Sequence, residues 1–304
     1  MAWGSNCSPV FETRVEQPMS QIRLSVIIVH YNSPELVAQC LYSIDKYIID
    51  PTKEVIIVDN NSRQESLDAL AGEYSYLKVI RLPENMGFGY ANNVGVKNAK
   101  GDMVLLLNSD ARFIDYSIND ALDDFYKARA RVMWGFKTLW PDGRFQNSFS
   151  REIAFFDFVA SYTPLAHFAG RIKRIGYHKY YGEPLTEIAE VHVIYGVVML
   201  LWREDYCALN GFDTRYFMYY EDIDFCDRFR NVLQGKIYYH PEVSLIHNVQ
   251  GSAKGKNDID QIYLKSKYVY GLKRFKVFRM LVFAVVDFTL MLFIMVYKHL
   301  SKAR

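Results

Sequence analysis

Residues 24–34 read LSVIIVHYNSP and decide the fold. The apolar run at 24–29 is continuous and rich in β-branched side chains, which is typical of a strand buried on both faces of a parallel sheet. Ser33 is suited to cap a helix whose first residue is Pro34. Apolar side chains then recur at helical spacing, at Leu36, Val37, Cys40, Leu41 and Ile44. The stretch therefore predicts a buried strand that leads directly into an amphipathic helix.

The same alternation of strand and helix continues along the chain. Further strands are predicted at residues 54–58, 77–82 and 102–107, with helices between them around residues 67–70 and at 90–99. We therefore assign the chain to the α/β class, with a doubly wound, mostly parallel sheet joined by right-handed crossovers. Ligands of such sheets bind beyond the carboxyl ends of the strands, where Asp59 and Asp110 lie.

The alternation weakens after about residue 132. The sequence then predicts strands near 134–136, across 191–202 around Gly196 and at 236–246, a hairpin turn at 141–144 and a helix at 223–233. Residues 1–22 lack periodicity and are expected to be a disordered or artefactual leader, with Met19 as an alternative start. One domain is expected over residues 23–253, followed by a helical tail at 254–304.

The composition is that of a folded protein. Half of the 304 residues are hydrophobic and 23% are charged, which argues against global disorder. The four cysteines include no CxxC pair, so a zinc site is not expected. No charged-then-apolar signal peptide opens the chain, and we expect a cytoplasmic protein with free thiols.

The tail differs from the body in charge. From residue 254 onward it carries eleven Lys and Arg against three acids, so a tail of +8 follows a body of −6 within the net charge of +2. This asymmetry predicts an anionic partner for the tail, either a membrane surface or nucleic acid.

The tail also contains a long apolar run. Residues 280–297 are apolar except for Asp287 and Thr289. Three interpretations stay open for this run: an interfacial anchoring helix, which we favour, a membrane span, and a helix buried in a dimer or domain interface. Membrane contact is also expected from the basic residues Lys273, Arg274, Lys276 and Arg279.

Polar residues follow the predicted strands at the points where ligands of such a sheet bind. Asn108-Ser109-Asp110 follows a buried strand, and a carboxylate there suits a hard divalent cation, although the same residue types also form turns and caps. Asp59 likewise either accepts a hydrogen bond from a nucleotide or caps a turn. Glycines at 87 and 89 precede a helix, so backbone amides can approach a phosphate there.

Two further groups of titratable residues have either a catalytic or a purely structural interpretation. Glu221, Asp222 and Asp224 follow the aromatic stretch 216–220, where partial desolvation raises a carboxyl pKa toward that of a useful base. The plainer interpretation, favoured by this pattern on its own, is an exposed helix start. His247 follows a predicted strand and is either a structural hydrogen-bond donor or a metal ligand.

Taken in order, these motifs resemble a known family. They are VHYN at 29–32, VDNNS at 58–62, ENMGFGYANNVG at 84–95, LLNSDA at 106–111 and YEDIDFCDR at 220–228, followed by His247. The order is similar to that of the family-two glycosyltransferases of GT-A fold, particularly the bacterial rhamnosyltransferase-like branch. The resemblance covers residues 24–252, and five ordered motifs are far more specific than any one of them.

The resemblance implies a nucleotide-sugar-binding half at residues 23–115 and an acceptor-binding half at 116–253. The residues implied to bind the donor are His30, Tyr31, Asn32, Asp59, Asn85, Gly87, Phe88, Asn92, Asn108 and Arg228. Within this set, residues 30–32 and Asp59 would contact the base and the ribose. Arg228 would lie near the diphosphate or the acceptor.

A divalent metal is also implied. Asn108-Ser109-Asp110 stands where the family has its Asp-x-Asp motif, so Asp110 is implied as a ligand of manganese or magnesium. Asn108 replaces the first acid of that motif and leaves the metal with fewer carboxylates. This departure favours His247 as a second ligand.

The implied reaction is an inverting transfer of a hexose or deoxyhexose, with rhamnose as the first candidate. Asp222 matches the family's catalytic base, Glu221 stands beside it, and Gly196 would lie on a strand that floors the acceptor site. The donor would be a nucleotide-diphosphate sugar and the acceptor a glycan or lipid-linked glycan in cell-surface polysaccharide synthesis. We expect the enzyme at the inner face of the cell membrane, without nucleic acid as a partner, and a homo-oligomer is left open.

Two rival functions are weighed against this one. A sugar-phosphate nucleotidyltransferase would carry a Gly-rich loop after the first strand, but residues 30–34 read HYNSP. A non-catalytic glycan-binding protein need not keep a candidate metal ligand and base, and both Asp110 and Asp222 are present.

Overall fold

The computed structural model describes residues 22–63, 67–155, 158, 185–249, 256–275 and 277–302. Two predictions lie wholly or mostly outside these ranges: the leader with Met19 and the membrane contact of Lys276. Cys40, Cys207 and Cys226 are free thiols, as predicted, and Cys7 is not among the described residues.

The first half of the domain forms the parallel part of a ten-stranded sheet, in the order β3-β2-β1-β4. Its elements are β1 (Leu24–His30), α1 (Pro34–Tyr47), β2 (Lys53–Asp59), α2 (Leu67–Glu73), β3 (Leu77–Arg81), α3 (Phe88–Lys97) and β4 (Met103–Asn108). The predicted doubly wound, mostly parallel sheet is confirmed. Ser33 precedes α1 as expected, but its side chain makes no capping hydrogen bond.

The second half continues the sheet in the order β11-β6-β12-β5. Its elements are β5 (Ala111–Phe113), α4 (Ser117–Ala128), β6 (Val132–Leu139), β7 (Phe145–Gln146), β8 (Phe149–Ser150), β9 (Ala189–Val191), β10 (Val193–Ile194), β11 (Val198–Trp202), α5 (Arg203–Ala208), α6 (Glu221–Asn231) and β12 (Lys236–His247). Strand β11 is antiparallel to β4 and β6, whereas β12 is parallel to β6. The start of β11 and the end of β12 therefore lie at the same edge of the sheet as the end of β4.

The sheet is buried on both faces by two hydrophobic clusters. One cluster includes the apolar stripe of α1, with Val37, Cys40 and Leu41 fully buried. On the other face, α3 packs so closely that a Cβ on Gly95 would lie 2.4 Å from Cγ2 of Ile27. The packed core holds the strands in place. The loops at the carboxyl edge of the sheet therefore also have fixed positions.

Two predicted boundaries were wrong. The strand expected at 191–202 is divided into β10 and β11, and Gly196 lies in the turn between them rather than on a strand. Helix α6 begins at Glu221, two residues before the predicted start, so its first turn carries Glu221, Asp222 and Asp224. Acids are favourable there because the helix dipole is positive at its N-terminus.

The tail forms two helices, α7 (Lys256–Arg274) and α8 (Val277–Lys302). Asp287, which interrupts the apolar run, is 4% exposed and faces α7, where Lys267 Nζ lies 3.4 Å away and the Tyr268 hydroxyl donates to it at 3.0 Å. Among the described residues, no helix has the length and apolar character to cross a membrane.

Two of the four basic residues predicted to contact a membrane pair with acids of the domain instead. Lys273 Nζ lies 2.5 Å from a carboxylate oxygen of Asp224 and 2.9 Å from Asp213. Arg274 Nε lies 3.3 Å from Asp227. Lys273 and Arg274 therefore have partners within the chain, and their contact with a membrane stays a prediction.

Candidate active site

A cavity of about 520 Å³ opens at the carboxyl edge of the sheet. It is bounded by the loops after β1, β2 and β4, the turn at 195–197, the segment 217–223 and the face of α7. Eight of the predicted site residues line it: Tyr31, Asn85, Gly87, Phe88, Asn108, Asp110, Glu221 and Asp222. The fold therefore brings Asp110 and Asp222, which are far apart in the chain, to the walls of one cavity.

Asp110 and His247 are in contact at the end of β4 and β12. The Asp110 carboxylate lies 3.1 Å from Nε2 of His247, and the other ring nitrogen, Nδ1, lies 2.8 Å from the carbonyl oxygen of the Gln146 side chain. Because that oxygen can only accept, Nδ1 carries a hydrogen, and Nε2 is the ring nitrogen that faces the Asp110 carboxylate. The Asn108 amide nitrogen lies 3.5 Å from the same Nε2.

These residues fit a divalent cation. Asp110 and His247 offer a carboxylate oxygen and an imidazole nitrogen 3.1 Å apart, and both are ligand types that divalent cations accept. The histidine is oriented through its second nitrogen, as metal-ligating histidines are. The side-chain oxygen of Asn108 is buried and has no partner within the described part of the chain. The described residues contain no group of three His, Cys, Asp or Glu around a common point, so further ligands would come from donor oxygens, water or Asn108.

Asp222 is anchored by two backbone amides at the start of α6. Gly196 donates its N–H to one carboxylate oxygen at 2.9 Å, and Ile223 donates to the other at 2.8 Å. A side chain at position 196 would crowd this contact, since its Cβ would lie 3.3 Å from the ring of Phe88 and 3.6 Å from Cβ of Asp222. Gly196 thus has a definite place in the site, although not the strand position that was predicted.

The two acids at the start of α6 have different surroundings. Burial, followed by the neighbouring charge of Asp222, raises the pKa of Glu221 well above its ordinary value, and one of its oxygens has no partner within the described part of the chain. Burial also raises the pKa of Asp222, although the amides of Gly196 and Ile223 act in the opposite direction. Glu221 therefore holds a proton more readily, and Asp222 is the acid that is stabilised as an anion.

Asn60, which was not predicted, connects the loops after β2 and β3. Its side-chain carbonyl accepts from the Met86 amide at 2.9 Å, and its amide donates to the Asn85 side chain at 2.8 Å. Asn85 in turn accepts from the amide of Gly87 at 3.1 Å. The network gives a fixed shape to residues 82–87, the loop between β3 and α3. We call this segment the donor loop. Asn60 lies in the VDNNS motif, so its position next to Asp59 was the available signal.

Five residues predicted to bind a donor do not line the cavity. His30 is 0% exposed, and burial lowers its pKa. Asn32 and Asp59 accept hydrogen bonds from the amides of Arg63 and Ser62, which fixes the loops after β1 and β2. Asn92 donates to the carbonyl of Phe88 within α3. Asn32 and Asp59 thus contribute to the site through the loops they hold.

Arg228 does not line the cavity, and its side chain bonds within the chain. Its guanidinium donates to Asp224 at 2.7 Å and to the carbonyls of Leu209 and Gly211 at 2.8 and 2.9 Å. The planar group is engaged on all three nitrogens, so it braces the turn after α5 against α6.

An aromatic wall of the cavity was also missed. It is made by side chains from three separate segments: Tyr195, Phe217, Tyr219, Tyr220 and Tyr263. Tyr263 lies on α7, so the tail contributes to the cavity. The stretch 216–220 was noticed as aromatic, but its position beside residues 195 and 263 depends on tertiary structure.

The architecture is the GT-A fold of glycosyltransferases. The chain aligns with a crystal structure of GalNAc-T7 with UDP, GalNAc and Mn2+ at a TM-score of 0.61, with 16% identity over 82% of this chain and 48% of that one. It aligns with residues 1–349 of S. aureus TarS in complex with UDP at a TM-score of 0.52, with 19% identity over 83% of this chain and 66% of that one.

The chain belongs to glycosyl transferase family 2, whose family model matches residues 25–199, more than half of the chain. It is 26% identical to the rhamnosyltransferase WbbL of Escherichia coli (strain K12) over 73% of this chain and 82% of that protein. It is 35% identical to the uncharacterized glycosyltransferase YfnE of Bacillus subtilis (strain 168), over 29% of this chain and 23% of that protein. The chain spans about a quarter or less of the length of the first curated relatives that it matches, in contrast to WbbL.

Proposed function

We propose that the protein is an inverting, metal-dependent glycosyltransferase. It transfers a hexose or deoxyhexose from a nucleotide-diphosphate sugar to a glycan or lipid-linked glycan in the synthesis of a cell-surface polysaccharide. The observation that carries the proposal is that Asp110, which is in contact with the buried His247, and the amide-anchored Asp222 line one cavity. Family membership and the alignment with a rhamnosyltransferase over most of both chains support it.

The donor lies in the part of the cavity bounded by Tyr31, Asn60, Asn85 and Gly87. Loops fixed by Asn32 and Asp59 place Tyr31 and Asn60 where a nucleotide would lie at the end of β1 and β2. UDP is bound in two of the structures with the same fold, which supports a nucleoside diphosphate as the leaving group. Asn108, Asp110 and His247 would hold manganese or magnesium, and the metal would supply positive charge to stabilise the leaving diphosphate.

Asp222 acts as the general base. Its anion accepts the proton of the acceptor hydroxyl as that oxygen forms a bond to the anomeric carbon and the bond to the diphosphate breaks. The attack comes from the side opposite the leaving group, so the anomeric configuration inverts. Glu221 keeps its proton because it is buried beside Asp222, which leaves a single negative charge to receive the proton.

The acceptor meets the aromatic wall. Aromatic rings present flat apolar faces to sugar rings, and a hydroxyl that reaches Asp222 from that side passes Tyr195 and Tyr219. Rhamnose is the first candidate for the transferred sugar, since WbbL, which aligns over most of both chains, is a rhamnosyltransferase.

The protein acts at the inner face of the cell membrane through α8. Large apolar side chains are exposed along one face of this helix: Val277, Phe278, Leu281, Val282, Val285, Phe288 and Leu292. The opposite face, with Met280 and Phe283, is buried. An amphipathic helix of this kind lies in the membrane interface without crossing it.

The test is a panel of nucleotide-diphosphate sugars with manganese, in which release of nucleoside diphosphate and the anomeric configuration of the product are measured. We expect turnover of at least one donor, loss of turnover on chelation of the metal, and an inverted product. Retention of configuration would contradict the single-displacement reaction, and pyrophosphate release from a sugar phosphate and a nucleoside triphosphate would favour nucleotidyl transfer.

A further inference from the structure

Two consecutive tyrosines immediately before the candidate base have an unusual backbone. Tyr219 and Tyr220 have φ values of +70° and +69°, in the left-handed region that L side chains rarely adopt. Such conformations persist where the surroundings hold them in place, and they are frequent beside functional groups. Here the two residues turn the chain so that α6 begins with Glu221 and Asp222 at the cavity.

Helix α7 holds this segment from one side. The buried hydroxyl of Ser266 donates to the carbonyl of Met218 at 2.8 Å. The ring of Tyr263 packs against Tyr219 and Tyr220, with centroids 5.7 and 5.5 Å apart. In addition, the Tyr220 hydroxyl donates to the Tyr263 hydroxyl at 3.2 Å.

The donor loop holds the same segment from the other side. The amide of Phe88 donates to the carbonyl of Phe217 at 2.9 Å, directly beside Gly87. Residues 217–220 therefore form a bridge between the donor loop and α7. The bridge has no helix or strand of its own, so its shape depends on these contacts.

Helix α7 is in turn fixed to α6. The Tyr270 hydroxyl donates to Asp227 at 2.9 Å, Arg274 pairs with the same carboxylate, and Lys273 pairs with Asp224. Tyr270, Lys273 and Arg274 of α7 therefore bind side chains of α6, the helix whose first turn contains Asp222. A shift of α7 would therefore move both Met218 in the bridge and α6, which follows the bridge directly.

From these contacts we infer that Tyr263 and Ser266 of the tail are positioning residues for Asp222. They hold the bridge at 217–220 in its left-handed conformation, which keeps the Asp222 carboxylate on the amides of Gly196 and Ile223. The inference rests on the proposed role of Asp222 as base, and it assigns to α7 a function in catalysis that is separate from any contact with a membrane.

Tyr263→Phe and Ser266→Ala in the full chain test this inference. Each removes one hydroxyl from the contacts that hold the bridge. We expect kcat to fall by about 10- to 100-fold, as for other small misplacements of a catalytic group, with little change in the KM for the donor. The acidic limb of the pH–rate profile should move to higher pH, because loss of the two amide hydrogen bonds raises the pKa of Asp222.

Tyr268→Phe is the matched control, since it removes a hydroxyl of α7 that bonds to Asp287 on α8 and not to the bridge. It should leave kcat and the acidic limb unchanged, even if it lowers the unfolding temperature. Unchanged kcat and pH profile in both Tyr263→Phe and Ser266→Ala, while Asp222→Asn is inactive, would overturn the inference and leave the proposed function standing.

Hydrogen exchange gives a second readout that does not require activity. The amides of Gly196 and Ile223, which bond to Asp222, should exchange faster in Tyr263→Phe than in Tyr268→Phe. Equal exchange in the two variants would show that α7 does not hold the base. This outcome is distinguishable from failure of the proposed function, which would appear as absence of donor turnover in the wild-type protein.

Discussion

At the scale of single residues, Glu221 and Asp222 show how two adjacent carboxyl groups acquire different properties. Asp222 accepts two backbone N–H groups, whereas Glu221 is 5% exposed and has an oxygen without a partner among the described residues. Burial and the charge of Asp222 favour the protonated form of Glu221. The stability of the fold should therefore depend on the ionisation of Glu221.

Glu221→Gln should remove part of the pH dependence of unfolding. The raised pKa of Glu221 gives stability that is fully present below its ordinary value of 4.5 and is lost as the pH rises through the raised value. Glutamine mimics the protonated acid at every pH. The variant should therefore match wild type at acidic pH and exceed it at neutral and alkaline pH, by about 1.4 kcal/mol for each unit by which the pKa is raised.

Denaturant unfolding of both proteins from pH 4 to 9, at about one-unit steps, measures this difference. Glu84→Gln, at an exposed position, is the control and should follow the wild-type curve throughout. Parallel curves for Glu221→Gln and wild type would show that Glu221 ionises as an ordinary surface acid does.

Sequence reasoning found the residues with charge and missed those that act through packing. The roles of Asp110, Asp222 and His247 were predicted from the ordered motifs of the family resemblance, since each residue type alone also fits a turn, a helix start or a structural hydrogen bond. Tyr263 was not predicted, since an aromatic side chain on a helix is most simply part of a core. The contacts of Arg228 could not be predicted, because its partners, the carbonyls of Leu209 and Gly211, are in a turn that the sequence does not place beside α6.

At the scale of elements, the donor loop and the bridge at 217–220 meet at Gly87. This glycine has a φ of +86°, and a Cβ there would lie 2.2 Å from the carbonyl oxygen of Phe217. The carbonyl is the acceptor for the Phe88 amide that joins the two segments. Gly87 is thus required both by its own backbone conformation and by the close approach of its neighbour.

Gly87→Ala should destabilise the protein more than Gly143→Ala does. Gly143 has a similar φ of +83°, but nothing lies within 4 Å of a Cβ placed there. Its replacement should cost about 1–2 kcal/mol, the cost of the left-handed conformation alone. Gly87→Ala adds a clash with the backbone, which costs roughly a further 1–3 kcal/mol, and should also lower kcat/KM.

Urea unfolding and steady-state kinetics of the two variants make the comparison. Equal losses of stability would mean that the donor loop is free to move away from Phe217. Normal kcat/KM in Gly87→Ala would mean that the contact between the two segments is not needed for turnover.

The parallel elements were predicted well and the antiparallel ones less so, for a physical reason. Strands such as β1 and β4 are buried on both faces and give continuous apolar runs that have one plain interpretation. Strand β11 is equally apolar, but its antiparallel insertion between β4 and β6 depends on long-range pairing. The left-handed backbone of residues 219–220 carries no glycine to mark it, so the start of α6 was placed too late.

At the scale of the whole molecule, the tail has one face that packs against the domain and one that is exposed. Its inner face packs against the domain through α7, and its outer face exposes Phe278 and Phe288 of α8 at 76% and 70%. Because Lys273 and Arg274 pair with acids of the domain, little basic charge from this part of the tail is left for an anionic surface. Membrane contact should therefore be apolar in origin.

The full chain should float with phospholipid vesicles, and flotation should persist at high salt because screening weakens only the electrostatic part. Replacing Phe278 and Phe288 together with Ser should abolish flotation. The paired control, Tyr42→Ser with Tyr116→Ser, removes two exposed aromatic side chains elsewhere and should float as wild type does. Absence of flotation, with a dimer in size-exclusion chromatography that the Phe double variant dissociates, would show that a second copy covers this face.

The whole account depends on Asp110 and Asp222 acting on one donor from two walls of the same cavity. The most direct measurement compares Asp222→Asn and Asp110→Asn with wild type, using donor binding by calorimetry and transfer rates with manganese. We expect Asp222→Asn to bind the donor normally while its kcat falls by about 10²–10⁴-fold, and Asp110→Asn to lose metal-dependent binding of the donor. Transfer by Asp222→Asn at the wild-type rate, or manganese-dependent donor binding by Asp110→Asn with unchanged affinity, would contradict the account.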